Sequence, residues 1–270
     1  MEKIGIIAGG GTLPKEILRY LQANNRKFFV VALKGEAELE LSDEIEHTWQ
    51  DIGKVGQILN ILKDAKVNKI VLVGKIKRPA LSMFKLDSVG MKLVARLAKA
   101  KIYGDDALLR VITTFLEEEN FSVIAPNTLL PELVTPKGLV GSIAPTDQDL
   151  EDIEVGINVL RTMEVLDIGQ AVIVENNLIL GVEAVEGTDA LIQRCKDLKR
   201  EEGRAGILVK MKKSIQDQRV DLPTIGPNTV QLIYDANMAG IALEAGNSLI
   251  ANLEATKILA KRLGIFIIGV

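Results

Sequence analysis

Lys3-Ile4-Gly5-Ile6-Ile7-Ala8-Gly9-Gly10-Gly11-Thr12-Leu13-Pro14 is the most informative stretch of the chain. Lys3 to Ala8 is almost entirely apolar, the pattern of a parallel strand buried on both faces. Three glycines follow. Ile17, Leu18 and Leu21 then recur at helical spacing, with Pro14 in the first turn, where a missing N–H leaves nothing unsatisfied. A strand, a glycine turn and a helix in that order form a βα unit whose turn can receive a phosphate on backbone amides. The run is neither GxGxxG nor a Walker A loop with its Lys-Ser/Thr. A tight βα turn without a ligand accounts for the same glycines.

The βα rhythm continues. Residues 27–33 read as a second strand, 52–65 as a helix and 69–73 as a third strand, followed by Gly74-Lys75-Ile76-Lys77-Arg78-Pro79. In an open parallel sheet, ligands sit beyond the carboxyl ends of the strands. Gly74 and its cations would then lie beside the Gly9–Gly11 turn, although a solvated basic loop reads the same way. Residues 86–100 form an amphipathic, basic helix. Gly104-Asp105-Asp106-Ala107-Leu108-Leu109 opens another, with Asp105 as its N-cap. Residues 121–125 close this half as a strand. Four of the eight prolines fall between Pro126 and Pro145, which suggests a connector. The expected architecture is α/β in two domains: a Rossmann-like parallel sheet with helices over 1–130, a connector over 131–146, and a second, smaller α/β domain over 147–270.

In the second half, 147–164 reads as a helix with acids in its first turn. Residues 170–174 and 178–184 read as a hairpin around Glu175-Asn176-Asn177. Thr188 is the natural N-cap of a helix over 190–200, and 205–211 is a strand. Arg219-Val220-Asp221-Leu222-Pro223-Thr224-Ile225-Gly226-Pro227 follows; its two prolines stiffen a loop that can hold Asp221 still. A helix over 228–240, a strand over 248–252, a helix over 253–263 and a strand over 264–270 complete the chain.

Bulk composition excludes several classes. At 270 residues and 47% hydrophobic content the chain has ample material for a core. A net charge of −3 argues against nucleic acid as a partner. No apolar run reaches the roughly 18 residues of a membrane span, and the start of the chain does not read as a signal peptide, so the cytoplasm is the expected compartment. One cysteine, Cys195, and one histidine, His47, rule out an intrachain disulfide and a cysteine zinc site. His47 sits in a polar segment with no nucleophile elbow elsewhere, which disfavours a serine triad. Hydrolysis, if it occurs, falls to carboxylates, lysines and a hard metal ion.

Glu183, Glu186, Asp189 and Asp221 are acids near strand ends or helix starts, and Lys210, Lys212 and Lys213 end the strand that precedes Asp221. Lysines and helix amides can bind a phosphate ester while Mg²⁺ or Mn²⁺ bridges its oxygens to carboxylates. Each acid alone reads equally as a solvated first-turn residue. These residues point to a phosphate compound without naming a reaction.

Several motifs carry a resemblance: Ile6 to Pro14, Gly104 to Arg110, Asp167-Ile168-Gly169-Gln170, Val182-Glu183-Ala184-Val185-Glu186-Gly187-Thr188-Asp189-Ala190, and Arg219 to Gly226. Together, over essentially the whole chain and in the same order, they resemble the LpxI-type UDP-2,3-diacylglucosamine pyrophosphatases. The resemblance implies an Mg²⁺-dependent hydrolase of lipid A biosynthesis. Such an enzyme splits a lipid-linked UDP-sugar into UMP and 2,3-diacylglucosamine 1-phosphate and holds the lipid between two domains. It places the catalytic aspartate on Asp221, which would bind the metal or orient the water. Glu183, Glu186 and Asp189 become candidate metal acids. Gly10, Gly11, Thr12 and Gly74 would approach substrate by backbone, and Gln170, Thr188 and Lys210 would grip phosphate or sugar. Peripheral contact with the inner face of the inner membrane, through basic residues 91–101, and a homodimer are further expectations. Two other readings stay open on the residues: a nucleotide-dependent oxidoreductase or transferase built on the glycine turn, and a non-catalytic carrier of a lipid phosphate.

Overall fold

The computed structural model describes residues 2–76, 85–99, 105–166, 168–200, 202–213 and 222–270. Lys77, Arg78, Pro79, Gly104, Asp167 and Asp221, all drawn on above, lie outside the described residues. The chain divides into two compact units, one ending at Pro131 and the other beginning at Glu132.

The first unit is a five-stranded sheet of Lys3–Ala8 (β1), Phe28–Leu33 (β2), His47–Gln50 (β3), Val67–Val73 (β4) and Ser122–Val123 (β5). The strands run in the order β3-β2-β1-β4-β5, and every pair is parallel. Connections to β1 leave toward opposite edges, so the sheet has its switch point between β1 and β4. Leu13–Ala23 (α1), Val55–Asp64 (α2), Ser88–Lys99 (α3) and Asp105–Glu118 (α4) complete the unit. Val31, Leu33 and Ile70 of the strands pack on Ile58, Leu59 and Leu62 of α2, Leu93 of α3 and Phe115 of α4. β3 was not expected: it is only four residues long and each is half buried, as suits an edge strand.

The second unit has a six-stranded sheet of Gly138–Leu139 (β6), Ala171–Glu175 (β7), Leu178–Val182 (β8), Ile207–Lys210 (β9), Gly240–Leu243 (β11) and Phe266–Gly269 (β13). Their order is β6-β13-β11-β9-β7-β8, with β9, β11 and β13 parallel and β7 antiparallel to both neighbours. Thr224–Ile225 (β10) and Leu249–Ile250 (β12) form a separate parallel pair. Alternate residues feed opposite layers. Val172, Val174, Ile207 and Val209 pack with Ile153 and Leu160 of Asp147–Met163 (α5). Ile173, Leu208 and Ile241 pack instead with Leu191 of Thr188–Lys196 (α6), Val230 of Pro227–Asp235 (α7) and Ala260 of Leu253–Leu263 (α8).

Three expectations are corrected here. The helix read over 228–240 stops at Asp235, because Asn237 takes a left-handed φ of 53°, and residues 240–243 become the central strand β11. The proline-rich stretch 131–146 is fastened into the second unit: Thr135 N donates to Ser248 O at 2.9 Å, and β6 pairs with β13. Thr188 is the first residue of α6 rather than its cap, since Gly187 takes the cap position with φ 79° and the Thr188 hydroxyl is used elsewhere.

Candidate functional site

The glycine turn of the first unit is closed by its own packing. Gly10 and Lys75 exchange backbone hydrogen bonds of 2.8 and 2.9 Å, which tie the loop after β1 to the loop after β4. A Cβ on Gly9 would stand 2.5 Å from Lys75 O, one on Gly10 2.8 Å from Glu36 O, and one on Gly74 2.6 Å from Gly10 O. Close approach therefore explains these three glycines without a ligand. Gly11 differs: its φ is +93° and nothing lies within 4 Å of a Cβ there. Thr12 beside it is exposed and its side chain makes no cap bond, which leaves Gly11 and Thr12 as the open part of the turn.

The second unit gathers polar groups at one edge of its sheet. β9 and β11 end there, and antiparallel pairing brings the start of β7 and the end of β8 to the same edge. Lys210, on the last position of β9, is 6% exposed, and Glu183, just after β8, is 5% exposed. Lys210 Nζ donates to Thr188 Oγ1 at 2.9 Å, and the Thr188 hydroxyl donates to Glu183 Oε1 at 2.7 Å. Glu183 Oε2 accepts the backbone N–H of Gln170 at 2.9 Å. Lys210 Nζ also donates to the carbonyl of Thr224 at 3.3 Å, the first residue of β10. The expected residues Gln170, Glu183, Thr188 and Lys210 are thus joined, and the chain of bonds ends on Thr224, three residues after Asp221 in sequence. Leu222 and Pro223 are buried, and β10 is held by Leu249 N to Pro223 O and Ala251 N to Ile225 O, both 2.8 Å.

Beside this cluster is a cavity of about 220 Å³ lined by Gln170, Met211, Lys212, Lys213, Arg161 and Glu244, among others. Gln170 Oε1 is buried there without a hydrogen-bond partner. The cavity lining carries three cations, Arg161, Lys212 and Lys213, and two acids, Glu164 and Glu244, a wall of mixed charge. The volume admits a phosphate and part of a sugar, not acyl chains. Arg161 and Glu244 were missed from sequence. Glu244 directly follows β11, and with no strand expected over 241–247 its place at a strand end was invisible. Arg161 sits in the last turn of α5, where a cation is ordinarily read as a dipole partner.

The remaining acids are turned to other partners. Glu186 accepts from Arg194 Nη2 at 2.9 Å and from Ala184 N at 3.1 Å. A bond from its own backbone N–H, with Arg194 beside it, holds its carboxyl below the ordinary value. Asp189 Oδ2 lies 3.4 Å from Asn228 Nδ2. Among the described residues no three acids, histidines or cysteines converge as a cation cage. Glu183, Glu186 and Asp189 therefore do not form a three-acid cage. Magnesium keeps much of its water and takes one or two carboxylates together with substrate phosphates, so it does not require a cage of three protein acids. Cys195 is fully buried, and burial pushes its thiol up, as for an inert structural cysteine. His47 Nδ1 is engaged with Ile45 O at 2.7 Å.

Residues 3–133 match the LpxI N-terminal domain and residues 136–268 the LpxI C-terminal domain. The chain is 38% identical over 275 residues to the UDP-2,3-diacylglucosamine pyrophosphatase LpxI of Caulobacter vibrioides, covering 100% of this chain and 98% of that protein. Among solved structures, CobK precorrin-6A reductase aligns with a TM-score of 0.32 and 8% identity, over 100% of this chain and 88% of that one.

Proposed function

This chain belongs to the LpxI family, and from that premise we propose that it hydrolyses the pyrophosphate of UDP-2,3-diacylglucosamine to UMP and 2,3-diacylglucosamine 1-phosphate. The observation that carries the reading in this chain is the part-buried chain of bonds from Glu183 through Thr188 and Lys210 to Thr224, within the Asp221-Leu222-Pro223-Thr224-Ile225-Gly226 run. In the reaction one water oxygen is added to one phosphorus, and the bridging oxygen leaves with the other. No covalent intermediate is needed; the chain must orient a water and relieve charge.

Asp221 is the group we assign to water orientation or metal binding. The Lys210 ammonium raises the electrostatic potential at the sheet edge, which favours an approaching phosphate, and we assign Gln170, which lines the cavity, to contact with the substrate. Gly11 and Thr12 offer open backbone to the nucleotide part. Mg²⁺, with Mn²⁺ as a substitute, would supply charge relief on the phosphate oxygens when bound. Asp221 would hold it, with waters and substrate oxygens. No helix among the described residues is long and apolar enough to cross a membrane. We assign access to the lipid to a peripheral surface, α3, where Met91 is 56% exposed and Lys92 is exposed beside it.

The test is hydrolysis of UDP-2,3-diacylglucosamine in isotopically labelled water, with and without a chelator. Release of UMP that stops with chelator and returns with Mg²⁺, and that is lost in Asp221→Ala while lipid product still binds, supports the proposal. Intact substrate at stoichiometric binding would instead make the protein a carrier.

A further inference from the structure

The arrangement around Glu183 fits a different role from metal binding. Both of its carboxylate oxygens are already engaged, Oε1 by the Thr188 hydroxyl at 2.7 Å and Oε2 by Gln170 N at 2.9 Å, and the side chain is buried. A cation bound there would compete with both donors for the carboxylate lone pairs. We infer that Glu183 is a positioning residue, which acts through Thr188 and Lys210 to fix the segment that follows Asp221. This rests on the reading that Asp221 is catalytic.

The direction of the bonds gives the argument. A carboxylate only accepts, so the Thr188 proton must point at Glu183. That turns a lone pair of Thr188 Oγ1 toward Lys210 Nζ, 2.9 Å away, and an ammonium only donates. Lys210 is thereby held where it also donates to Thr224 O at 3.3 Å, and that carbonyl lies three residues after Asp221 in sequence. The negative charge of Glu183 is balanced against the buried ammonium through one hydroxyl. In Glu183→Gln the amide can accept from only one neighbour. If it accepts from Gln170 N, its NH₂ faces Thr188 Oγ1, and the hydroxyl proton loses its acceptor. The shape stays the same, while the polarity of the bonds and the balancing charge are lost.

The experiment compares Glu183→Gln, Thr188→Val, Thr188→Ser and the Glu183→Gln/Thr188→Val double variant for kcat, KM and the Mg²⁺ concentration at half-activation, using UDP-2,3-diacylglucosamine. We expect kcat to fall about 10- to 100-fold in Glu183→Gln and in Thr188→Val, the size of a small misplacement transmitted to reacting groups. KM should move less, and half-activation by Mg²⁺ should not move. The double variant should be no slower than the slower single one, because both break one chain of bonds. Thr188→Ser, which keeps the hydroxyl, should lose far less than Thr188→Val. Recovery of Glu183→Gln by excess Mg²⁺, defects that multiply in the double variant, or equal losses for Thr188→Ser and Thr188→Val would each overturn the assignment. If Glu183→Gln does not fold, the two Thr188 variants decide alone. Asp221→Ala is run alongside: normal UMP release by that variant refutes the catalytic reading itself, whatever the other variants do.

Discussion

Lys210 Nζ stands 2.9 Å from Thr188 Oγ1 and 3.3 Å from the carbonyl oxygen of Thr224, with the lysine 6% exposed. A buried ammonium needs acceptors, and this one finds them on a helix start and on a strand outside the main sheet. One side chain from the central part of the second unit therefore joins α6 to β10. Stability and site geometry depend on the same bonds at this point.

Replacing Lys210 with methionine keeps the length and apolar stem but removes the donors. Glu183 is then left buried without a balancing cation, and Thr224 O loses its partner. Such a change costs about 1–3 kcal/mol. Adding Glu183→Gln should return part of that stability by removing the stranded charge, without returning activity. Urea unfolding midpoints, with UMP release measured in parallel, separate the two effects. If the double variant is less stable than Lys210→Met, the two residues are not balancing one another.

The glycine turn yields a paired prediction. Gly74 and Gly11 have similar φ, +96° and +93°, so alanine meets similar backbone strain at both, roughly 1–3 kcal/mol. Only at Gly74 does the new Cβ also meet Gly10 O at 2.6 Å and Gly9 C at 2.8 Å. Gly74→Ala should lower the thermal midpoint well beyond Gly11→Ala. Gly11→Ala should show its larger effect in KM, if substrate reaches that amide. Equal thermal losses would mean the two loops are not locked together as described.

The parts legible in the sequence were those with a local signature. Lys3 to Ala8 and its glycine turn declared β1 and α1, and Asn176-Asn177 declared the β7–β8 hairpin; both asparagines take positive φ, 48° and 62°. β11 was not legible, because Gly240-Ile241-Ala242-Leu243 is short, apolar and continuous with a helical pattern. Only tertiary pairing with Ile207–Lys210 and Phe266–Gly269 makes it a strand. Within the site, Lys210, Thr188, Glu183 and Gln170 were visible as residues at element ends. Their bonding to one another was not, since it joins positions 13 and 22 residues apart through sheet topology. Likewise the sequence could not tell that Gly9, Gly10 and Gly74 face each other across a gap too narrow for a side chain.

Away from the site edge, Asp152 of α5 provides a stability test. It is 2% exposed and accepts from Asn176 N at 2.8 Å, Asn177 N at 2.6 Å and Gln148 Nε2 at 3.3 Å. Its carboxylate is the fixture that holds the left-handed turn of the hairpin against the helix. Asp152→Ala strands two backbone donors in a turn that already carries two non-glycine residues at positive φ, and should cost about 2–4 kcal/mol. Because the turn lies at the other end of β7 from Gln170, kcat measured well below the unfolding midpoint should stay near that of the parent. A large kcat loss in a fully folded Asp152→Ala would show that the hairpin transmits to the catalytic edge.

Glu186 gives the pH test. A bond from its own backbone N–H lowers its folded pKa, helped by Arg194 and Ala184 N, and burial opposes this only in part. The sign follows from linkage: a carboxylate whose folded pKa is depressed contributes stability above its unfolded pKa and loses it as pH falls through the folded one. The contribution is therefore present at neutral pH and disappears in the acid range below the ordinary carboxylate pKa. Solvent screening keeps it small, because this ion pair is exposed. Arg194→Met removes a secondary cause and leaves the main one, so the Glu186 carboxyl carbon should titrate at a higher pH than in the parent yet still below an unperturbed glutamate. NMR titration of that carbon in the two proteins reads this directly. An unchanged midpoint would assign the whole depression to the backbone and none to Arg194, and would also count against an ion pair anchoring the turn that leads into Thr188.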